Sequence, residues 1–357
     1  MSNYHAFVGT YTKRRDSVGI YQIAYSSETE RLEIIQSTKF RENPSFLAYD
    51  AASHRLFSVQ ESVGNRRGQV TMFEATGVPT PTGIAYRLEP TGECETFGSG
   101  PCHLHYDDAR QRVVVANYGS GGVGVIAVSD RSLELLQGIQ HQGQSVDKIR
   151  QEGPHAHSAT PDPTGKYVLV CDLGIDEVVV YRWTENHLLD ESPVCRAKVA
   201  PGSGPRHFAF HPNGIYGYVS NEMGNTITKF DFDSEGVLSP TQTAATLPDS
   251  FVEESSTADI HASSDGARLY VSNRGHDSVT VFSLDADSGN VSFESHLPAG
   301  GVTPRNFALS SDQKYIFIAN QDSDSIVVRD LQNSREVTSI SIPRPVCIKL
   351  TRTHGVR

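Results

Sequence analysis

Cysteine is sparse and unpatterned: Cys94, Cys102, Cys171, Cys195 and Cys347 form an odd set of five with no CxxC pair. Such a set argues against a disulfide framework and a thiolate zinc site, and leaves small buried side chains as the reading. No apolar run approaches the ~20 residues that a membrane-spanning helix needs. The N-terminal stretch MSNYHAFVGTYTKRR lacks the basic-then-apolar order of a secretion signal, so a cytoplasmic protein is expected. Positive charge is also short, with 31 Lys and Arg against 42 Asp and Glu and a formal net charge of -11. That balance argues against a general nucleic-acid or membrane-surface binder, while leaving room for local basic sites. Sustained 3.6-residue periodicity is missing as well. Only SVDKIRQE, from Ser145, has room for a turn or two of helix, which disfavours a two-domain α/β arrangement.

What the chain does have is repetition. Take Ser45, Cys102, His157, Arg206, Ala258 and Arg305 as one register; 15 residues after each stands a polar residue that closes an apolar run. These closing residues are Gln60, Asn117, Asp172, Asn221, Asn273 and Asn320. Each unit reads as a short strand, a turn rich in Asp, Pro and Gly, and a second strand such as RLFSVQ, YVLVCD or IFIAN. A third apolar alternation follows, as in EVVVYRW or SVTVF, and then a variable fourth segment such as VSFESHLP. Successive units start 47 to 57 residues apart, the length of a four-stranded propeller blade with its loops.

Val346 opens a last strand, PVCIKL, with only a short tail behind it, while HAFVGTY, VGIYQIAY and RLEIIQSTKF at the other end lack a first strand. Joining the termini in one blade completes the ring and pairs strand edges that would otherwise be exposed. The expected fold is therefore all-β: one domain over residues 1–357, a seven-bladed β-propeller of four-stranded blades closed by N- and C-terminal strands.

Three local motifs are read as structural. Gly119 to Gly124, GSGGVG, fits a dinucleotide-binding fingerprint but leads into VIAVS rather than a helix, so a tight turn is expected and no nucleotide cofactor. The pairs His103/His105 and His155/His157 can each set two imidazoles on one strand face, but spacing fixes no third ligand and no metal site is expected. The recurring Asn117, Asn221, Asn273 and Asn320 suit amides that satisfy backbone at strand ends, since a catalytic group has no reason to repeat in every blade.

Chemistry is sought where the repeat breaks. At the start of the innermost strands the register runs Ser45, Cys102, His157, Arg206, Ala258, Arg305, Val346; just after the second strands it runs Glu61, Tyr118, Leu173, Glu222, Arg274, Gln321. Antiparallel neighbours bring both series to one end of the central channel. Blades three to six thereby direct His157, Arg206, Glu222, Arg274 and Arg305 to one mouth, a basic spot on an acidic chain. Three guanidiniums around one carboxylate and one imidazole suit a small anionic substrate, and His157 can move a proton near neutral pH. No GxSxG elbow is present, so water activation is the expected class of hydrolysis rather than a serine nucleophile.

In its ordered motifs the chain resembles the lactonase family of seven-bladed propellers, which includes cycloisomerase-type 6-phosphogluconolactonases and carboxy-cis,cis-muconate cyclases. The resemblance spans essentially the whole chain and is carried by RQEGPHAHS at Arg150, GPRHFAFHPNG at Gly204, SNE at Ser220, ADIHASSDG at Ala258, SNRG at Ser272 and TPRNFAL at Thr303. It implies a site of one His, one Glu and two Arg, which look like His157, Glu222, Arg206 and Arg274. His155 and Arg305 are expected beside them as substrate-binding residues. The implied activity is hydrolysis of a small anionic sugar lactone such as 6-phosphogluconolactone, a reaction that needs no redox cofactor. Muconate lactonisation by proton delivery to an alkene is the alternative. A non-enzymatic binding platform would instead show apolar hot spots on an outer rim. Expected partners are the lactone alone, with no nucleic acid or membrane, in a monomer or weak homo-oligomer.

Overall fold

Strands of four to thirteen residues alternate with tight turns along the chain. In the turn at 162–165 the Asp162 carboxylate accepts from Thr164 N at 2.9 Å and Tyr167 N at 2.6 Å, while Gly165 takes φ +70°. An aspartate that bonds its own backbone and a glycine that reaches the left-handed region turn the chain back between the first and second strands. The computed structural model describes residues 3–13, 17–40, 42–61, 67–80 and 83–351.

The described residues form 28 strands in seven antiparallel sheets of four, with no helix. The expected propeller is what the chain builds. Six blades follow sequence order. The seventh places Pro345–Thr351 innermost against Asn3–Thr10, then Gly19–Ser26 and Arg31–Lys39, in a register that pairs His5 with Thr351 and Gly9 with Cys347. The GSGGVG segment turns into the strand Gly122–Val128, as expected. In Ser145 to Glu152 a single helical hydrogen bond forms, Gln151 N to Asp147 O at 3.1 Å, so one turn is all that stretch makes.

Burial follows position in the blade. The second strand of blade three, YVLVCD, is buried at every residue, whereas the outermost strand Arg31–Lys39 alternates exposed and covered positions. A second strand is covered on both faces by the neighbouring blades, and an outermost strand on one face at most. The apolar cores accordingly lie between blades: Leu169, Val178 and Val180 of blade three pack with Phe208, Val219 and Phe230 of blade four. Across the closing seam, Tyr4 and Tyr25 of blade seven pack against Phe317 of blade six at ring-centroid distances of 5.9 and 5.7 Å. The channel is left free for polar groups.

The innermost strands share one irregularity. Their pairing with the second strands skips Cys102, His157, Arg206 and Arg305 in turn, and skips Ala258 with Asp259 in blade five. Each is a β-bulge, which removes a residue from the ladder and re-aims its side chain. The register residues at the starts of these innermost strands are thus the residues that leave the ladder.

Val346 and Ile348 of the closing strand are 3% and 2% exposed. Burying two such side chains contributes about 3–6 kcal/mol, a large part of an ordinary net stability of about 5–15 kcal/mol. A chain shortened to end at Arg344 should therefore lose the cooperative thermal transition of the full-length protein in circular dichroism. An unchanged melt would show that the ring does not depend on this strand.

Candidate active site

The second series, after the second strands, is tied to the mouth by a recurring backbone bond. Glu61 N donates to Asn43 O, Tyr118 N to Gly100 O, Leu173 N to His155 O, Glu222 N to Gly204 O and Gln321 N to Thr303 O, all within 3.1 Å. Each bond ties the turn after a second strand to the segment that leads into the innermost strand of the same blade. Bulge residues and turn residues therefore meet at one end of the channel.

Glu222 is the centre of the resulting cluster. Its Oε2 receives Arg206 Nε at 2.9 Å and Arg274 Nη2 at 3.1 Å, and its Oε1 receives Arg150 Nη2 at 2.7 Å. His157 Nε2 stands 3.9 Å from Oε2. The side chains of Glu222, Arg206 and His157 are 7%, 3% and 5% exposed, so these charges act with little screening by water. Burial by itself would raise the Glu222 carboxyl, but Arg274, Arg206, His157 and Arg150 outweigh it and hold the group well below the usual carboxylate range. Burial, reinforced by Arg206, pushes the His157 imidazole well below its ordinary value against the pull of Glu222. At neutral pH the site thus holds an ionised carboxylate and a neutral imidazole. Burial, with Arg305 and Arg274, lowers Arg206 to about 10, which still leaves it a cation.

The cluster brings together four of the residues expected from the sequence: His157, Arg206, Glu222 and Arg274. Arg305 lies nearby, half-buried, with its guanidinium carbon 5.4 Å from the Tyr11 ring centroid. Among the described residues it makes no hydrogen bond and no ion pair with a carboxylate. Tyr11 donates instead to Glu61 Oε2 at 3.1 Å. The structure does not bring His155 to Glu222. Its ring stacks on Tyr118 with centroids 4.6 Å apart, and its Nδ1 lies 2.8 Å from Tyr118 O. His155 thus supports the rim, and Tyr118 in turn accepts Arg150 Nη2 at its hydroxyl, 3.1 Å away.

Arg150 was not among the residues picked out by register, because it lies outside the repeat. It sits on the one-turn segment of the loop 141–155, where Asp147 Oδ1 accepts from the backbone N of Ile149 and Arg150, each at 2.8 Å. A Cβ at Gly174 would overlap the Gly153 carbonyl oxygen, so the glycine lets this loop lie close over blade three. The unusual length of the connection was the available signal, since long connections in compact domains tend to be functional.

The recurring asparagines take the structural role expected of them: Asn221 Nδ2 donates to Thr226 and Thr228 hydroxyls at 2.9 Å, and Asn320 Nδ2 to Ala299 O at 3.1 Å. His103 and His105 line a separate cavity of about 690 Å³ at the opposite end of the channel, together with His207, His261 and Lys349. No group of three or more metal-ligating side chains forms among the described residues. At the charged end, Tyr11, Glu61, Cys102, Arg206 and Arg305 enclose a void of about 10 Å³, room for a water.

Known proteins share this design. The family described as a lactonase with a 7-bladed β-propeller matches residues 5–350. The chain belongs to that lactonase family. A 6-phosphogluconolactonase of Bacillus subtilis is 32% identical over 364 residues, covering 98% of this chain and 99% of the relative. A 6-phosphogluconolactonase of Formosa agariphila is 28% identical, covering 92% and 93%. Among solved structures, the periplasmic gluconolactonase of Pseudomonas aeruginosa superposes with a TM-score of 0.88 at 29% identity, covering 98% of this chain and 99% of that one. In this lactonase-family chain the matched region takes in every member of the charged mouth.

Removing Glu222 would leave Arg150, Arg206 and Arg274 facing one another. Glu222→Ala should cost about 3–5 kcal/mol in urea unfolding at neutral pH, as for a buried ion pair that loses one partner. The sign with pH follows from its depressed pKa. The stabilisation is complete above the ordinary carboxyl value of 4.5 and is lost as acid takes the pH down through the folded value. A variant as stable as the parent at pH 7 would show that water, not Glu222, balances these cations.

Proposed function

We propose that the charged mouth hydrolyses the ester of a small anionic sugar lactone, with 6-phosphogluconolactone as the substrate to test first. The observation that carries this reading is the division of labour among the guanidiniums. Arg206 and Arg274 are locked on Glu222, whereas Arg305 keeps its donors uncommitted among the described residues at the edge of the same site. Locked cations preorganise a field for charge that develops during reaction, and an uncommitted one is available to a charge the substrate brings with it. The family and its 6-phosphogluconolactonase relatives support the same choice.

In this reading a water molecule attacks the lactone carbonyl and gives its proton to the neutral His157 imidazole. Glu222, 3.9 Å away, stabilises the imidazolium that forms. Its three guanidinium partners make Glu222 a poor base, so of the two groups His157 is the one that accepts the proton. Arg206 and Arg274 stabilise the tetrahedral oxyanion, which collapses with cleavage of the ring C–O bond. His157 then returns the proton to the departing alkoxide, and the product is the open-chain acid. Arg305 holds the phosphate. A phosphorylated lactone does not cross a bilayer unaided, because burying its charge costs far too much. In this reading the enzyme works in the cytoplasm, with its substrate.

Arg206→Ala and His157→Ala should each lower kcat/KM on 6-phosphogluconolactone by about 10²-fold, measured against spontaneous hydrolysis. Parental rates in both variants would sink the assignment. His157 acts as base only while neutral, so activity holds above its depressed pKa and is lost below it. The acid limb of kcat/KM should therefore fall below the ordinary histidine value of 6.5, and a limb at or above 6.5 would assign the base elsewhere. Arg305→Ala should raise KM about tenfold for the phosphorylated lactone and less than about twofold for the unphosphorylated one. Equal effects on both would place the phosphate away from Arg305.

A further inference from the structure

His207 follows Arg206 on the innermost strand of blade four and occupies the middle of the channel. Its ring packs near those of His103 and His157, both with centroids 5.4 Å away, and it lines both the small void at the charged end and the larger cavity behind it. Arg206 Nη1 lies 3.2 Å from His207 Nε2. A guanidinium can only donate, so Nε2 presents its lone pair. The other ring nitrogen, Nδ1, stands 2.8 Å from Asp259 Oδ1 and must carry the proton it donates there. Burial, with Arg206 acting in the same direction and Asp259 against, lowers His207 to about 4, so the ring is neutral at pH 7 as this tautomer requires.

Asp259 is itself held from several sides. Its Oδ1 also accepts from Ile260 N at 3.1 Å; its Oδ2 accepts from Asn306 Nδ2, from Phe307 N at 3.2 Å and from His261 Nε2 at 3.0 Å. Asn306 Oδ1 in turn accepts from Ile348 N at 2.6 Å, which ties the carboxylate to blades six and seven as well as its own. On the other side, Arg206 donates Nε to Glu222 and Nη1 to His207 and to Ala258 O, the last at 2.9 Å. Its Nη2 has no hydrogen bond among the described residues.

We propose that Asp259 is a positioning residue for the reaction: by fixing His207 as the Nδ1–H tautomer, it turns the Nε2 lone pair onto Arg206 and holds that guanidinium with Nη2 free for the lactone oxygen. The proposal rests on the reading that Arg206 stabilises the oxyanion. A carboxylate is required because Oδ1 must accept from His207 and Ile260 N while Oδ2 accepts from three donors. In Asp259→Asn the amide oxygen stays with the larger set of donors, Phe307 N, Asn306 and His261, so the amide NH₂ faces His207 Nδ1 and Ile260 N. That forces the ring proton onto Nε2, donor against donor with Arg206, the logic by which a carboxylate sets a catalytic histidine's tautomer.

The test uses full-length protein labelled with ¹⁵N-histidine, with the His207 signals assigned by their loss in His207→Phe. Two-bond ¹H–¹⁵N correlations should show the parent His207 as Nδ1–H, and Asp259→Asn should move it to Nε2–H. In steady-state kinetics, Asp259→Asn and His207→Phe should each lower kcat about tenfold with KM changed less than about twofold, part of the loss expected for a misplaced oxyanion donor. If Asp259→Asn does not fold, the parent tautomer and His207→Phe decide the matter. A parent His207 that is Nε2–H or doubly protonated at neutral pH overturns the proposal, as do folded variants with parental kcat. A parent enzyme that turns over no lactone removes the proposed function and the positioning role with it, whereas an active enzyme with the wrong tautomer removes the positioning role alone.

Discussion

One buried carboxylate holds the mouth of the channel together. Glu222 sits on the turn after a second strand in blade four and takes guanidiniums from its own blade, from blade five and from the loop leading into blade three. Mutual repulsion among Arg150, Arg206 and Arg274 would otherwise drive them toward solvent, since buried like charges interact strongly at low effective dielectric. With Glu222 ionised, they converge and keep a net positive field directed into the channel. His157 is kept neutral first by burial and then by Arg206, which depresses Glu222 as well and disfavours an imidazolium beside it.

The convergence needs a backbone that presents side chains in the channel without unpicking the blades, and the bulges supply it. A regular strand would keep Arg206 and His157 in the ladder, where successive side chains face the neighbouring blades. Skipping one residue frees each for the channel, and the next residue resumes pairing, as His207 does with Ser220. The second strands beside them are buried between blades at every residue but Tyr216, so the irregularity is carried by a rigid support. Catalytic groups placed on such elements hold their geometry better than groups on loops. Glu222 on its turn and Arg150 on its loop are the exceptions; the loop is pinned by Asp147, Gly174 and the Tyr118 hydroxyl.

The two ends of the channel differ in kind. The mouth with Glu222 gathers several guanidiniums on one buried carboxylate, while the opposite end is lined by imidazoles, aromatic rings, aspartates such as Asp162 and Asp259, and Lys349, which lies 4.3 Å over the Phe46 ring. Between them runs a continuous line of hydrogen bonds from Glu222 through Arg206, His207 and Asp259 to His261. This line crosses from blade four to blade five, so the innermost strand of the neighbouring blade bears on the orientation of a group in the mouth.

The ring and most of the mouth are legible in the chain alone. A constant 15-residue interval and a missing first strand at the N-terminus are properties of the chain, and blade number, closure and the meeting of His157, Arg206, Glu222 and Arg274 follow from them. Repeats make this legible because each blade must bury the same faces against its neighbours. Tertiary structure decided what register cannot carry. Arg150 reaches Glu222 from outside the repeat, and a position with no repeat partner has no predictable direction. His155 and His157 are alternatives on paper; the bulge frees His157, while His155 stacks on Tyr118 at the rim. The roles of His207 and Asp259 were hidden for a different reason, since both lie inside the repeat, one residue beyond the register positions. They sit on adjacent blades, and it is the packing of blade four against blade five around the channel that brings them within 2.8 Å.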